Sequence, residues 1–318
     1  MKLVAFVLSL CASLAVSAQG YPVRPVKVVV PYAAGGLPDT MARLVGQKMG
    51  DSMGQQLVVE NRGGAGGIVG TTDVAKAAPD GYTLLVADVA QIAINPHLFS
   101  KLPYDPLKEL TGVSLMGTSP LYLVAHSSVP AASMKELVAL VRSQPGKLSY
   151  GSSGLGSIHH LATEALKVGF GIDMLHVPYK GTGQSVPALL GGQVAVLYAA
   201  LPSIESHVKA GKVRILAVST PQRSALTPEV PTVAESGVPG YDFVAEIGFY
   251  APAGTPQEIV SRLAAEVQKA VKQPDVVQRF RQLGIDPVGS TPEAYNAANR
   301  ENYRKYEALV KASGAKID

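Results

Sequence analysis

Cysteine is almost absent from this chain. The single cysteine among the 318 residues, Cys11, lies in an apolar stretch at residues 3–16 that follows Lys2. This stretch and the small residues up to Ala18 form the pattern of a secretory signal, so residues 1–18 are expected to be removed. Disulfides and thiolate–metal sites are then excluded from the mature protein. A lipid anchor on Cys11 is disfavoured because Leu10 is large where a small residue is wanted.

Long apolar segments and runs of like charge are also missing. After residue 18 no segment reaches the roughly 20 apolar residues that span a bilayer, which predicts a soluble, exported protein. The net charge is +4 and the basic residues are scattered, so nucleic acid is not an expected partner. This mild positive balance suits an anionic small molecule. About 300 mature residues predict two domains.

The sequence lacks the common catalytic and cofactor motifs. No G-x-S-x-G nucleophile elbow and no P-loop occur, and the glycine cluster at residues 63–67 does not make G-x-G-x-x-G. The acidic residues are mostly isolated, and the six histidines show no metal-ligand spacing. We therefore expect no catalytic residues, no metal and no cofactor.

Short β-rich runs alternate with helical stretches in two series, which predicts an α/β fold. In the first series, strands are predicted at residues 26–32, 56–61 and 83–89, with helices at residues 41–49 and 68–77. The second series begins with a capping box, Ser133 to Glu136. Its strands are predicted at residues 148–152, 174–179, 194–199 and 213–219, and its helices at residues 159–168, 184–190 and 204–210.

The last third of the chain predicts two helices with similar starts. Each start has a capping threonine, Thr255 or Thr291, followed by proline and then by glutamate. The crossovers between the two series are expected near residues 113–124 and 243–250.

Glycine-rich turns follow a predicted strand in each series. Residues 33–36 and 151–157 should therefore lie at the carboxyl ends of strands, where backbone N–H groups at helix starts can bind an anion. Asp39 could cap the first turn or order it through its side chain. At the second turn, one of His159 and His160 could face the crevice while the other packs against the sheet. A tight turn without a ligand is the alternative at each place.

Eight ordered stretches make the chain resemble the periplasmic receptors of tripartite tricarboxylate transporters, also called Bug or TctC-like receptors. They are "YPVRPVKVVVPYAAGG", "VVENRGGAGGIVG", "AAPDGYTLLVAD", "INPHLFSKLPYDP", "HVPYKGTG", "LLGGQV", "VPTVAESGVPGY" and "APAGTP". The resemblance implies a two-lobed type II periplasmic binding protein fold, in which each lobe is a mainly parallel sheet flanked by helices. It implies that a carboxylate of the ligand is held by backbone amides and bridging waters. It also implies that the protein catalyses no reaction.

The resemblance also implies site residues and lobe boundaries. Lobe 1 would comprise residues 19–120 and 245–318, and lobe 2 residues 121–244. Ligand-binding positions in lobe 1 would be Tyr32, Ala33, Gly35, Gly36, Asp39, Asp88 and Gln91. Those in lobe 2 would be Ser152, Gly156, Ser157, His160, Tyr179, Lys180 and Gly181, together with Tyr198 and Ala200.

Two departures from the family pattern concern the distal part of the pocket. Leu37 and Pro38 stand where smaller or polar residues are more common, and Glu246 stands where an aromatic residue is common. Glu246 is therefore added to the expected ligand-binding positions. Because both departures affect the distal part of the pocket, the resemblance is not used to assign a particular ligand to this chain.

The leading hypothesis is a monomeric periplasmic receptor that delivers a small carboxylate to the permease subunits of a tripartite tricarboxylate-type transporter. The ligand could be a di-, tri- or aromatic carboxylate or an acidic amino acid. One alternative is a receptor with the same pocket whose ligand is sensed by a signalling partner. Another is an exported serine hydrolase that uses Ser157 and His160.

Overall fold

The computed structural model describes residues 20–32, 34–179 and 181–313. The expected signal at residues 1–18 lies outside this part of the chain, and so do two expected site residues, Ala33 and Lys180.

The strands of the described chain form two sheets. In chain order they are β1 Val26–Val30, β2 Leu57–Asn61, β3 Thr83–Asp88, β4 Leu110–Pro120, β5 Tyr122–His126, β6 Ser149–Ser152, β7 Leu175–Pro178, β8 Val196–Ala199, β9 Val213–Val218, β10 Val244–Pro252 and β11 Asp286–Pro287. The first sheet has the order β11-β4-β10-β3-β1-β2, and the second has the order β7-β6-β8-β5-β9.

Helices flank both sheets. They are α1 Leu37–Met53, α2 Ile68–Ala75, α3 Asn95–Leu98, α4 Pro106–Glu109, α5 Met134–Ser143, α6 Ile158–Phe170, α7 Thr182–Leu190, α8 Glu205–Lys209, α9 Gln257–Ala270, α10 Pro274–Gln282 and α11 Pro292–Ser313. Short 3-10 turns occur at Ala65–Gly67 and Leu201–Ser203, and a π-helical turn occurs at Ala90–Ile94.

The predicted two-lobed α/β class is confirmed, but each sheet is mixed rather than mainly parallel. Strand β1 is parallel to β2 and β3, and β6 is parallel to β7 and β8. The strands that connect the sheets run the other way: β10 is antiparallel to β3 and β4, and β5 is antiparallel to β8 and β9. Only Leu121 separates β4 from β5, so the chain passes directly from one sheet to the other.

Strand β1, which lies between β3 and β2, is buried on both faces, as expected for an inner strand with helices on both sides of the sheet. Val28 and Val30 pack into the cluster that contains Met41 and Val45 of α1. Val29 points to the other face, where it joins a separate cluster with the helix α2. The alternation of side chains along a strand explains why a run of valines fills both layers.

Three of the predicted helix starts can be compared with the structure. Ser133 Oγ accepts a hydrogen bond from the Glu136 amide at 3.3 Å, and Thr291 Oγ1 accepts one from the Ala294 amide at 3.3 Å, so both caps are confirmed. The Thr255 cap is wrong, because its hydroxyl donates to the Pro252 carbonyl at 2.8 Å and α9 begins two residues later.

Helix α10 was not expected from the sequence. It lies between α9 and α11 and is mostly polar, with Val276 and Phe280 as its buried residues. Two buried side chains four residues apart give only a weak periodic signal, which explains why the helix was missed.

Helix α11 joins the two halves of the molecule. Its first turn lies beside β4, where the Asn296 side chain binds the Gly112 backbone. Farther along, Tyr306 and Val310 are buried in the large cluster that also contains Tyr198 of the second sheet. Residues Ala93, Ile94 and Leu98 belong to the same cluster, although they follow a strand of the first sheet. The region after β3 and the end of α11 thus pack against the second half.

Gly248 of β10 is in close contact with its surroundings. A Cβ atom there would lie 2.6 Å from the Ser114 carbonyl oxygen and 2.5 Å from the Tyr295 hydroxyl oxygen. We expect Gly248→Ala to lower the free energy of unfolding by about 1–3 kcal/mol, because backbone atoms must move to admit the methyl group.

Chemical denaturation of the Gly248→Ala protein measures this loss. The matched control is Gly183→Ala near the start of α7, where a Cβ would meet no atom within 4 Å. Its stability should be unchanged or slightly higher. Equal stability of the two variants would contradict the close packing at Gly248.

Candidate functional site

A cavity of about 250 Å³ lies between the two halves of the molecule. One wall comes from the first sheet and the segments after its strands, and the other from the glycine turn before α6. The lining residues are Tyr32, Gly66, Asp88, Ala90, Gln91, Asn95, Leu98, Phe99, Ser153, Gly154, Leu155, Gly156, Ser157, Ile158 and His159. The cavity thus lies at the carboxyl ends of β3 and β6, where open α/β sheets bind their ligands.

The two walls meet at Leu98 and Gly156. A Cβ atom on Gly156 would lie 2.1 Å from Leu98 Cδ1, and the backbone there has φ = +73°. Both the conformation and the close approach require glycine at this position. The glycine allows the turn of the second wall to lie directly against the leucine of the first.

The first wall is a connected polar network. The Tyr32 hydroxyl donates to Asp88 Oδ2 at 2.7 Å and accepts from Gln91 Nε2 at 2.8 Å. Asp88 Oδ1 accepts a hydrogen bond from the Ala90 amide at 2.8 Å. Gln91 Nε2 also contacts the Gly66 carbonyl at 3.1 Å, which is shared with Asn95 Nδ2 at 3.0 Å. Most polar atoms of this wall therefore have partners within the protein.

Burial raises the pKa of Asp88, while the hydrogen bonds from Tyr32 and Ala90 act in the opposite direction. Burial also raises the pKa of the Tyr32 hydroxyl, and the neighbouring Asp88 adds to that effect. Tyr32 is therefore a neutral hydrogen-bond donor at pH 7.

The second wall is the N-terminus of α6. Ser157 is the N-cap residue: its Oγ accepts from the His160 amide at 3.3 Å and its hydroxyl donates to the Gly154 carbonyl at 2.8 Å. No lysine or arginine occurs among the lining residues that the structure describes. The positive end of the helix dipole and the backbone amides at a helix N-terminus favour an anion.

The two adjacent histidines have different positions, as expected. His159 lines the cavity, with Nδ1 2.7 Å from Ser153 Oγ. His160, the expected site residue, is buried behind the turn, where its Nδ1 accepts from the Gly156 amide at 3.1 Å. Its ring stacks on His176 at a centroid distance of 4.1 Å. Thus His160 holds the glycine turn, and His159 is the histidine that faces the cavity.

Burial keeps these imidazoles neutral. It lowers the pKa of His159 and of His176 to about 4, and it also lowers the pKa of His160. Because Nδ1 of neutral His160 accepts a hydrogen bond, its proton lies on Nε2. Protonation of Nδ1 would remove the acceptor that anchors Gly156.

The turn at the start of α1 is held by Asp39 and does not line the cavity. Asp39 Oδ2 accepts from the Gly35 amide at 2.8 Å, and Oδ1 accepts from Asn61 Nδ2 at 3.0 Å. Arg43 forms an ion pair with the same carboxylate at 3.0 Å. Although burial opposes it, these contacts hold the pKa of Asp39 below its ordinary value. The expectation that Asp39 orders this turn is confirmed.

Several other expected site residues support the walls instead of lining the cavity. Ser152 Oγ lies 2.7 Å from His176 Nε2, Tyr198 accepts from the Tyr241 hydroxyl at 2.7 Å, and Glu246 accepts from Asn302 Nδ2 at 3.0 Å. Gly36, Tyr179, Gly181 and Ala200 flank helix starts or strand ends outside the lining.

The structure brings Tyr32, Asp88, Gln91, Gly156 and Ser157 together around one cavity. Ser153, Gly154, Leu155 and His159 also line it, and they belong to the glycine turn and the histidine pair that the sequence analysis considered. The structure adds residues that the sequence analysis did not select, namely Gly66, Ala90, Asn95, Leu98, Phe99 and Ile158. Gly66 belongs to the glycine cluster at residues 63–67, and Asn95 to Phe99 lie within the quoted stretch "INPHLFSKLPYDP".

In the part of the chain that the structure describes, no group of three or more His, Cys, Asp or Glu side chains could hold a metal ion. None of the helices in the described ranges is long and apolar enough to cross a membrane.

Comparison with known proteins identifies the family. The model of the tripartite tricarboxylate transporter family receptors, TctC, matches residues 41–315. The chain therefore belongs to this family of periplasmic solute-binding receptors. BugT of Bordetella pertussis is 38% identical over 305 residues, covering 95% of this chain and 93% of BugT.

Solved structures of this family show the same fold. The R. palustris protein Rpa4515 with adipate has a TM-score of 0.84 at 34% identity, covering 93% of this chain and 100% of that one. MatC from Rhodopseudomonas palustris with bound malate has a TM-score of 0.79 at 36% identity, covering 91% of this chain and 100% of that one.

The lowered pKa of the half-buried His176 predicts a loss of stability in mild acid. The native pKa of His176 is lowered to about 4, whereas the unfolded value is about 6.5. Between these two values the unfolded chain binds more protons, so the free energy of unfolding should fall as the pH decreases from about 6.5 to 4. Above pH 6.5 this contribution is fully present.

The variant His176→Phe tests this dependence, because phenylalanine keeps a ring in the stack but cannot be protonated. Chemical denaturation at several pH values should give a smaller decrease in stability for the variant than for the wild type. Parallel decreases in the two proteins would contradict the lowered pKa of His176.

Proposed function

We propose that this protein is a periplasmic receptor that binds a small carboxylate between two lobes and delivers it to the permease subunits of a tripartite tricarboxylate-type transporter. The observation that carries the proposal is the cavity between the halves, with the N-terminus of α6 at one wall and no lysine or arginine among its described lining residues. An anion there would be held by backbone amides, Ser153, His159 and bound water.

Two kinds of interaction would stabilise an anion in such a site. A helix N-terminus stabilises an anion by about 0.3–1 kcal/mol at exposed positions and by more when sheltered from solvent. Hydrogen bonds to a charged group contribute about 1.5–3 kcal/mol each. A few such contacts to one carboxylate are sufficient for a receptor that must also release its ligand.

The relatives support the class of ligand. Solved structures of two proteins that share this fold at more than 30% identity hold adipate and malate. Both compounds are dicarboxylates, and the anion-favouring wall of this cavity is compatible with either. The present cavity is small, at about 250 Å³, which favours a metabolite of similar size.

Two lobes of residues 19–120 with 245–318 and of residues 121–244 would close over the ligand. The division is supported by the composition of the sheets, since strands β5 to β9 form one sheet and the other strands form the second. Strands β4, β5 and β10 would serve as the hinge, because they carry the chain between the sheets. A ligand that contacts both walls would favour the closed state.

Export to the periplasm would follow cleavage after Ala18, and the protein would act as a monomer. The apolar residues 3–16 after Lys2 support the first point. A receptor that senses its ligand for a signalling partner would have the same cavity. A permease gene next to the gene for this protein would favour transport.

We further propose that the protein performs no catalysis. The hydroxyl of Ser157 donates to the Gly154 carbonyl, and Nδ1 of His160 is occupied by the Gly156 amide. These two residues therefore do not form a nucleophile–base pair. Ser153 and His159 do lie within hydrogen-bond distance, but their pair needs an orienting third group, and neither residue has a carboxylate partner in the described chain.

The first measurement is ligand binding by the mature, ligand-stripped protein. We expect a rise in melting temperature with one or more small carboxylates, because a ligand at 100 times its dissociation constant stabilises the native state by about 2.7 kcal/mol. The corresponding diamides are the control, and they should produce no shift. If no carboxylate raises the melting temperature of the folded protein, the proposal is contradicted. Turnover of an ester by the wild type that is lost in Ser153→Ala would contradict it as well.

Gly156 gives a test of the place of binding. Alanine at this position would force Leu98 or the turn to move, so Gly156→Ala should weaken carboxylate binding by about tenfold or more. Isothermal titration calorimetry measures the change. The matched control is Gly171→Ala at the other end of α6, where φ is +60° and a Cβ meets no atom within 4 Å. Equal affinities in the two variants would place the ligand elsewhere.

A further inference from the structure

Asp88 is the one acidic residue among the described residues that line the cavity. It ends strand β3 and is partly exposed to the cavity. The cavity was proposed above as an anion site, and a carboxylate in its wall would repel a second carboxylate placed next to it. The presence of Asp88 therefore constrains the chemistry of the part of the ligand that lies beside it.

The hydrogen bonds of Asp88 fit an ionised carboxylate. The Tyr32 hydroxyl and the Ala90 amide are both donors, and each contacts a different oxygen, at 2.7 and 2.8 Å. A carboxylate offers about four acceptor positions, so each oxygen retains capacity for one more donor. No lysine or arginine in the described lining neutralises it.

A charged group that is sheltered from water needs a compensating partner. The neighbouring polar groups are already engaged: Gln91 Nε2 contacts Tyr32 and the Gly66 carbonyl, and Asn95 Nδ2 contacts the same carbonyl. The remaining acceptor positions of Asp88 are thus available to a molecule in the cavity. A hydroxyl or an ammonium group would fill one of them.

The opposite wall of the cavity favours a group of negative charge. The N-terminus of α6 favours an anion, and Ser153 and His159 offer side-chain hydrogen bonds beside it. We propose that the ligand is a carboxylate that also carries a hydroxyl or ammonium group, and that Asp88 accepts a hydrogen bond from that group. This inference rests on the proposed function. It selects hydroxy and amino acids over plain dicarboxylates.

The test compares ligands that differ only in this donor. Calorimetry on the wild-type protein should use two sets of equal chain length: succinate, L-malate and L-aspartate, and adipate, 2-hydroxyadipate and 2-aminoadipate. In the set that fits the cavity, at least one substituted acid should bind about tenfold or more tightly than the plain diacid, since a hydrogen bond to a charged group is lost with the latter.

The variant Asp88→Asn identifies the residue responsible. Asparagine has the same shape and can still accept from Tyr32 or Ala90, but it has no charge. In this variant the ratio of the two affinities, substituted acid over plain diacid, should fall to about threefold or less. The control Asp286→Asn on β11 removes one exposed carboxylate away from the cavity and should keep the wild-type preference.

The outcomes separate this inference from the proposed function. Binding of plain and substituted acids with equal affinity by the wild type would overturn the role of Asp88 and leave the receptor function intact. A preference that survives in folded Asp88→Asn would overturn it as well. Failure of every carboxylate to bind would overturn both. The wild-type comparison needs no variant, so a misfolded Asp88→Asn protein would not prevent a decision.

Discussion

The contact between Leu98 and Gly156 is the constraint on which the candidate site depends. Leu98 follows a strand of the first sheet, and Gly156 lies in the turn before α6, so their contact joins the two walls of the cavity. A side chain larger than hydrogen at position 156 would separate them. The leucine is held in turn by the large apolar cluster that contains Ile94, Tyr198 and Tyr306. The geometry of the cavity is therefore set by packing of the core as much as by its polar residues.

Behind the glycine turn, a stack of three rings supports the second wall, in which Tyr150 and His160 are buried and His176 is half-buried. His160 binds the Gly156 amide, and His176 lies between His160 and Tyr150, at centroid distances of 4.1 and 4.7 Å. Neutral imidazoles suit this place because they are flat, bury well and still accept a hydrogen bond from the backbone. Phenylalanine at position 160 would leave the Gly156 amide without its partner. The arrangement makes the shape of the second wall depend on the protonation of groups that do not touch the ligand.

The sequence predicted the α/β class, most strands within two residues, and two of the three helix caps. The sequence-based prediction failed at two places for local reasons. The Thr255 hydroxyl donates to the Pro252 carbonyl instead of capping α9. Helix α10 was missed because it buries only Val276 and Phe280. The strand directions were not readable, because nothing in the residues of β10 shows that it pairs in antiparallel fashion with β3 and β4.

For the candidate site, the glycine turn before α6 and the end of β3 were found from the residues and the resemblance. The choice between His159 and His160 was not decidable from the sequence, because both follow the same N-cap and differ only in their angle around the helix. Leu98 and Phe99 were missed because an apolar residue in a cavity wall has the same sequence signature as one in the core.

Helix α11 begins against the first sheet and ends in the core of the second, where Tyr306 and Val310 are buried. By chain order this helix follows β11 of the first sheet, but its last turns pack against the other half. A fluorophore placed near residue 310 would therefore report the position of the second half, even though the sequence around it continues from the first. Distance measurements between the halves would have to be designed from packing and not from chain order.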